Sequence, residues 1–105
     1  MSSTETVSVT DYRVKPIGVL ATSAGSRDIH IGGPKGMLLA ELITQLVLKV
    51  NNQQFTDLLI DSATKNPLPN VIILLDDQDC NLFHGLATRL EPGTIVTIIP
   101  VAHGG

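Results

Sequence analysis

The 105-residue sequence predicts an α+β domain in which one helix lies across a mixed sheet of four or five strands. Three observations carry that reading: one long amphipathic segment, several short β-branched runs on either side of it, and strong turn signals between the runs. The order is strand, strand, helix, strand, short strand, strand.

The first strand is expected in "YRVKPIGVL" (12–20), which is β-branched and apolar, followed by a loop in the small polar stretch "ATSAGSR". "RDIHI" alternates, setting Ile29 and Ile31 on one face and Asp28 and His30 on the other, the period of a half-buried strand. These two strands are expected to form a hairpin. "GGPKG" interrupts the second, and Pro34 suits the first turn of a helix, where its missing N–H is no loss.

From Met37 onward, Leu39, Leu42, Ile43, Leu46 and Val50 recur at intervals of three and four, while Glu41, Gln45 and Lys49 share the other side. "NNQQ" ends that helix. "FTDLLIDSATKNPLPN" is expected to be a connector in which Phe55, Leu58 and Leu59 plug one end of the sheet. "VIILL" (71–75) lacks polar alternation, as a strand covered on both faces or at the sheet centre would. "DDQDCN" reads as a turn, "LFHGLATRL" as short extended pieces around Gly85, and "EPGT" as a turn before the last strand, "TIVTIIPV".

Composition narrows the function. The length fits one domain able to bury roughly two-thirds of its unfolded surface. Seven Lys and Arg against ten Asp and Glu give a net charge of -3, and aromatics make up only 3%, which disfavours direct nucleic-acid binding. The single cysteine, Cys80, fits a reducing compartment and excludes an internal disulfide framework. The longest apolar run, "MLLAELITQLVLKV", is broken by Glu41, Thr44 and Gln45, so a membrane span is not expected and a cytoplasmic location is. The expected organisation is a disordered segment at 1–10, a domain at 11–100 and a flexible tail at 101–105, in a monomer.

That tail, "VAHGG", is the most informative stretch. Glycine supplies no side chain to pack and loses the most freedom on ordering, so Gly104 and Gly105 do not stabilise a fold. Pro100 lacks an N–H and marks where the last strand stops, leaving the residues beyond it free. Five extended residues reach roughly 16 Å past the sheet.

Metal and phosphate motifs fail on spacing. His30, His84 and His103 have no ligand partner at a zinc-like interval, so no metal site is expected. "DDQDCN" opens like a calcium loop at Asp77, Asp79 and Asn81, but Leu82 and Thr88 stand where Gly and Glu are required. Lys35 is followed by Gly36, unlike a phosphate loop. No catalytic residue is assigned, and Cys80 has no neighbouring cation to activate it.

The element order with a tail leaving the last strand is the β-grasp arrangement. "VIILLDDQDCNLFHGLATRLEPGTIVTIIPVAHGG" resembles the C-terminal third of the ubiquitin-related modifier family, through "ILLDDQD", Leu82 with Gly85, and the ending "AHGG". The resemblance implies a protein modifier and sulfur carrier that is a substrate, not an enzyme. An activating enzyme using ATP and Mg would adenylate Gly105. The adenylate would be converted by a sulfurtransferase or persulfide donor to a thiocarboxylate for tRNA thiolation, or attacked by lysines of target proteins. It also implies that Val96 and Ile98 face the helix while Thr97, Ile99 and Val101 face outward, a parity that "TIVTIIPV" alone leaves open. Ile99, Val101, Ala102 and His103 would then form the partner-binding patch and tail, with Gly104 and Gly105 at the site of activation. "IIPVA" is also close to the small subunit of molybdopterin synthase, the alternative reading. A third is an interaction module with an inert tail.

Overall fold

A computed structural model describes residues 9–101 and contains a five-stranded mixed sheet flanked by helices. Its elements are β1 (Thr10–Pro16), α1 (Val19–Ala24), β2 (Ile29–Gly33), α2 (Leu39–Val50), α3 (Gln53–Leu59), β3 (Val71–Leu75), β4 (Gln78–Asp79) and β5 (Ile95–Pro100). The strand order is β2-β1-β5-β3-β4, in which β1 and β5 run parallel and the other neighbours antiparallel. The last strand therefore lies at the centre of the sheet. This is the β-grasp arrangement expected from the sequence.

Alternation decides which face each strand buries. Tyr12, Val14, Ile29, Ile31, Ile73, Val96 and Ile98 join Leu39, Leu42, Ile43 and Leu46 of α2 in one core. Removing this much apolar surface from water is the main stabilising term. The hairpin of β1 and β2 forms as expected, with Tyr12 opposite Ile31 and Arg13 opposite His30.

Four local expectations are corrected. First, α2 begins at Leu39 and not near Pro34, because Gly36 adopts φ +76° and Leu38 is extended, neither of which a helix accommodates. Pro34 instead opens a turn that Met37 N–H closes onto its carbonyl at 3.2 Å, while Glu41 Oε1 accepts from Leu38 N–H at 3.1 Å to finish the helix end.

Second, two short helices stand where a loop and a connector were expected. α1 packs against α3 through the buried Leu20, and Asn52 Oδ1 accepts from Phe55 N–H at 3.0 Å to start α3. Phe55 and Leu59 are fully buried and Leu58 half-buried, so the plug exists but is helical. Six or seven residues are too few to display a helical period in sequence.

Third, of the two alternatives for "VIILL", the interior place in the sheet holds, since β3 lies between β5 and β4, but cover on both faces does not: Val71, Ile73 and Leu75 are buried while Ile72 is 41% exposed. Fourth, "LFHGLATRL" (82–90) is not a pair of extended pieces: it takes up the end of the 3-10 turn Cys80–Leu82, contains a second one, Gly85–Ala87, and pairs only through an isolated bridge between Leu38 and Arg89. The turn at "EPGT" holds, whereas that at "DDQDCN" shrinks to its first two residues, because the short strand β4 (Gln78–Asp79) lies inside this stretch and not after it. Asp76 and Asp77 have φ +48° and +71°, the left-handed pair of a two-residue hairpin loop, and Thr94 N–H reaches the Glu91 carbonyl at 3.1 Å across Pro92 and Gly93.

Candidate functional site

The site is the end of β5 and the surface around it. Because β5 is held on one side by β1 and on the other by β3, its end is fixed by two ladders: Ile98 lies opposite both Pro16 and Ile73, and Pro100 opposite Val71. Pro100 ends the strand, as its missing N–H requires. The chain is not released at once, however. Val101 N–H donates to the Asn70 carbonyl at 3.0 Å, so Val101 is tied where the sequence reading had it free. Ala102, His103, Gly104 and Gly105 lie outside the described residues.

The parity of β5 agrees with the expectation. Val96 and Ile98 are fully buried, Thr97 and Ile99 are half-buried on the other face, and Val101 is 38% exposed. Register then adds a residue that sequence reasoning missed. Ile72 on β3 stands directly opposite Ile99 and shares its outer face, so Ile72, Ile99 and Val101 form an apolar strip leading to the tail. A run of five apolar residues gave no signal for which of them would be outward.

The other half of that outer face is charged. Arg13 pairs with Asp28 at 2.7 Å, and His30 Nδ1 lies 2.7 Å from Asp11 Oδ2. The hydrogen bond from the Arg13 guanidinium holds the Asp28 carboxyl below its usual range. The pair fixes the start of β2 against β1 and leaves the apolar strip as the distinct feature near the tail. On the opposite flank, Ile17 N–H donates to the Ile98 carbonyl at 3.0 Å, and a side chain at Gly18 would meet Pro100 Cγ at 3.8 Å. Ile17 and Val19 project there and were also missed, having been assigned to the first strand.

The remaining candidates are structural. Cys80 is buried, and burial followed by the charge of Asp79 pushes its thiol pKa up, which opposes thiolate chemistry. The aspartates of the calcium-like stretch serve turns: Asp76 accepts from Ile95 N–H at 2.9 Å and Asp79 from Asn81 N–H at 2.8 Å. Among the described residues no cluster of His, Cys, Asp and Glu could hold a metal ion, and no helix is long and apolar enough to cross a membrane.

Comparison with known proteins agrees with this geometry. The model of the ThiS family matches residues 18–105. The small archaeal modifier protein 1 of Methanosarcina acetivorans superposes with a TM-score of 0.77 at 17% identity, covering 93% of this chain and 99% of that one. Urm1 of Trypanosoma brucei gives 0.70 at 26% identity, covering 92% and 97%. A putative molybdopterin converting factor subunit 1 from Pyrococcus furiosus gives 0.67 at 17% identity, covering 89% and 99%. No curated protein matches the chain in a sequence search. The central position of the last strand agrees with the family match, which supports the role of a substrate: the chain belongs to the ThiS family of β-grasp sulfur-carrier and ubiquitin-like proteins.

Proposed function

We propose that the chain is a modifier and sulfur carrier activated at the carboxylate of Gly105. A carboxylate does not react with sulfur or amines until one oxygen becomes a leaving group. Attack of the carboxylate on the α-phosphorus of ATP, in a partner enzyme that holds Mg-ATP, expels pyrophosphate and leaves an acyl-adenylate. A persulfide then displaces AMP, and thiol cleavage of the resulting acyl disulfide leaves a thiocarboxylate that can supply sulfur for tRNA thiolation. Alternatively, a lysine amine displaces AMP and forms an isopeptide bond with a target protein. Both routes begin with ATP, and only the first uses a persulfide donor; we place both in the cytoplasm as part of the proposal.

The observation that carries this reading is where β5 stops. Val101, the last described residue, is held by the sheet through Asn70, and Ile72, Ile99 and Val101 form partly exposed apolar surface at that end. Contiguous exposed apolar surface beside a departing tail fits a partner that docks on the sheet and draws in Ala102, His103, Gly104 and Gly105. Glycines without side chains suit a narrow channel.

Intact-mass spectrometry of the chain recovered from its own cells tests the proposal. Replacement of one terminal oxygen by sulfur establishes the carrier, and Gly-Gly remnants on lysines of other proteins establish the modifier. A terminus found only as a free carboxylate, with no adducts, removes the proposal. The second reading, a small subunit of molybdopterin synthase, draws on "IIPVA" and on the shared fold with the Pyrococcus furiosus protein. Co-purification with a large synthase subunit would select it.

A further inference from the structure

The flank of the tail opposite the apolar strip has its own chemistry. The chain leaving β1 wraps the end of β5 through Ile17 and Gly18 and enters α1 at Val19. Ile17 is 44% and Val19 54% exposed, and neither contributes to the core. They border an open concavity of about 1100 Å³ that is also lined by Lys15, Arg27 and Asp28. Asp28 is taken by Arg13 at 2.7 Å, whereas Lys15 and Arg27 have no salt bridge or side-chain hydrogen bond among the described residues. A surface with two cations free of salt bridges among the described residues therefore lies beside the end of β5, in a chain whose net charge is -3.

Among the described residues, Asp28 is the one carboxylate lining the concavity, and it is paired with Arg13; three others lie far from it. Asp76 and Asp77 form the turn after β3, and Glu91 begins the turn before β5. Since β5 runs from Glu91 toward Pro100 and β3 from Val71 toward Asp76, all three carboxylates stand at the end of the sheet remote from the tail. Cations such as Lys15 and Arg27 orient a protein as it approaches an acidic partner and raise the rate of productive encounters.

We infer that the concavity of Lys15, Ile17, Val19 and Arg27 is a second docking surface, and that it receives an acidic, aliphatic segment of the same adenylating enzyme that takes up the tail. The inference rests on the proposed function and deepens it. The two apolar surfaces flank the tail, so one enzyme that encloses it covers both: the strip of Ile72 and Ile99 supplies apolar burial, and the concavity supplies charge-guided orientation. Charge complementarity selects the occupant, because an acidic segment neutralises Lys15 and Arg27 while its aliphatic side chains cover Ile17 and Val19.

The test uses the adenylating enzyme purified from the same cells by following ATP–pyrophosphate exchange that depends on this chain. Exchange is measured against chain concentration at about 0.1 M and about 1 M NaCl, between which the Debye length falls from about 10 to about 3 Å. Lys15→Glu combined with Arg27→Glu is expected to raise KM about tenfold at the lower salt with kcat unchanged, and the difference closes at the higher salt. Arg27→Gln alone gives a smaller change of the same kind. Ile17→Ser with Val19→Ser raises KM at both salt concentrations, and Glu91→Lys, at the other end, leaves it unchanged. Urea midpoints confirm that each variant is folded.

An unchanged KM in the folded charge-reversed chain overturns the docking surface and leaves the proposed function standing. Salt-sensitive self-association of the wild-type chain in sedimentation equilibrium, abolished by the same charge reversal, assigns the concavity to a second copy and also overturns it. Absence of any chain-dependent exchange overturns both readings together.

Discussion

Ile72→Thr separates the outer face of the sheet from its core. Full burial of an isoleucine side chain contributes about 1.5–3 kcal/mol. With 41% of Ile72 still exposed, about two-fifths of that, or about 0.6–1.2 kcal/mol, remains to be gained when a partner covers it. Threonine keeps the β-branch and the strand conformation but forfeits that gain. The expected result is a chain with unaltered kcat for ATP–pyrophosphate exchange and a KM raised about three- to eightfold. Ile99→Thr, directly across the strand pair, has the same direction with a smaller size because Ile99 is less exposed. The control is Ile73→Thr, one residue along and fully buried, which puts a hydroxyl into the core and lowers the urea midpoint. An unchanged KM for folded Ile72→Thr refutes the docking strip. Equal stability losses at residues 72 and 73 refute the assignment of faces.

Three further outcomes test the fold that presents the tail. Ile98→Ala, at a fully buried position on the central strand, is expected to destabilise the protein by about 2–5 kcal/mol in urea titration. Gly93 has φ +87° and open space around it, so Gly93→Ala costs only the left-handed strain, about 1–2 kcal/mol, with no packing change in an amide spectrum. Asp28 has its folded pKa lowered by Arg13 relative to a reference of 3.8, so its contribution to stability is present above that value and disappears as pH falls through the folded pKa. Asp28→Asn should accordingly lower the urea midpoint at pH 7 and converge with wild type once the pH has fallen below the folded pKa of Asp28, with added salt shrinking the difference at neutral pH.

The elements legible in the sequence were those whose signal is local and repeated. "RDIHI" alternates over enough residues to fix its buried face, and α2 carries four buried leucine and isoleucine positions at helical spacing. "DD" and "EPGT" each contain the residue types that their turn conformations demand. The errors fell where two local signals competed or where none existed. Pro34 favours a helix start, but Gly36 two residues later takes a left-handed conformation and postpones it. "VIILL" is apolar throughout, so only its pairing with β5 shows that Ile72 points away from the core.

The tail was legible for a different reason: its proposed chemistry resides in the residue types themselves, and two glycines after a proline-terminated strand need no tertiary context to be noticed. The surface around the end of β5 was not, because Ile17, Ile72 and Ile99 come from three strands or their ends and are set on its two flanks only by the pairings of β5. Those ladders also bear on function. A partner that pulls on the tail loads Val101 and Pro100 first, and the load passes to a strand bonded on both sides and not to an edge. Peeling β5 away would require breaking pairings to β1 and β3 together, along with expelling Val96 and Ile98 from the core. The domain is therefore built to stay folded while a partner grips the residues beyond Val101, which is the mechanical requirement of the carrier role proposed above.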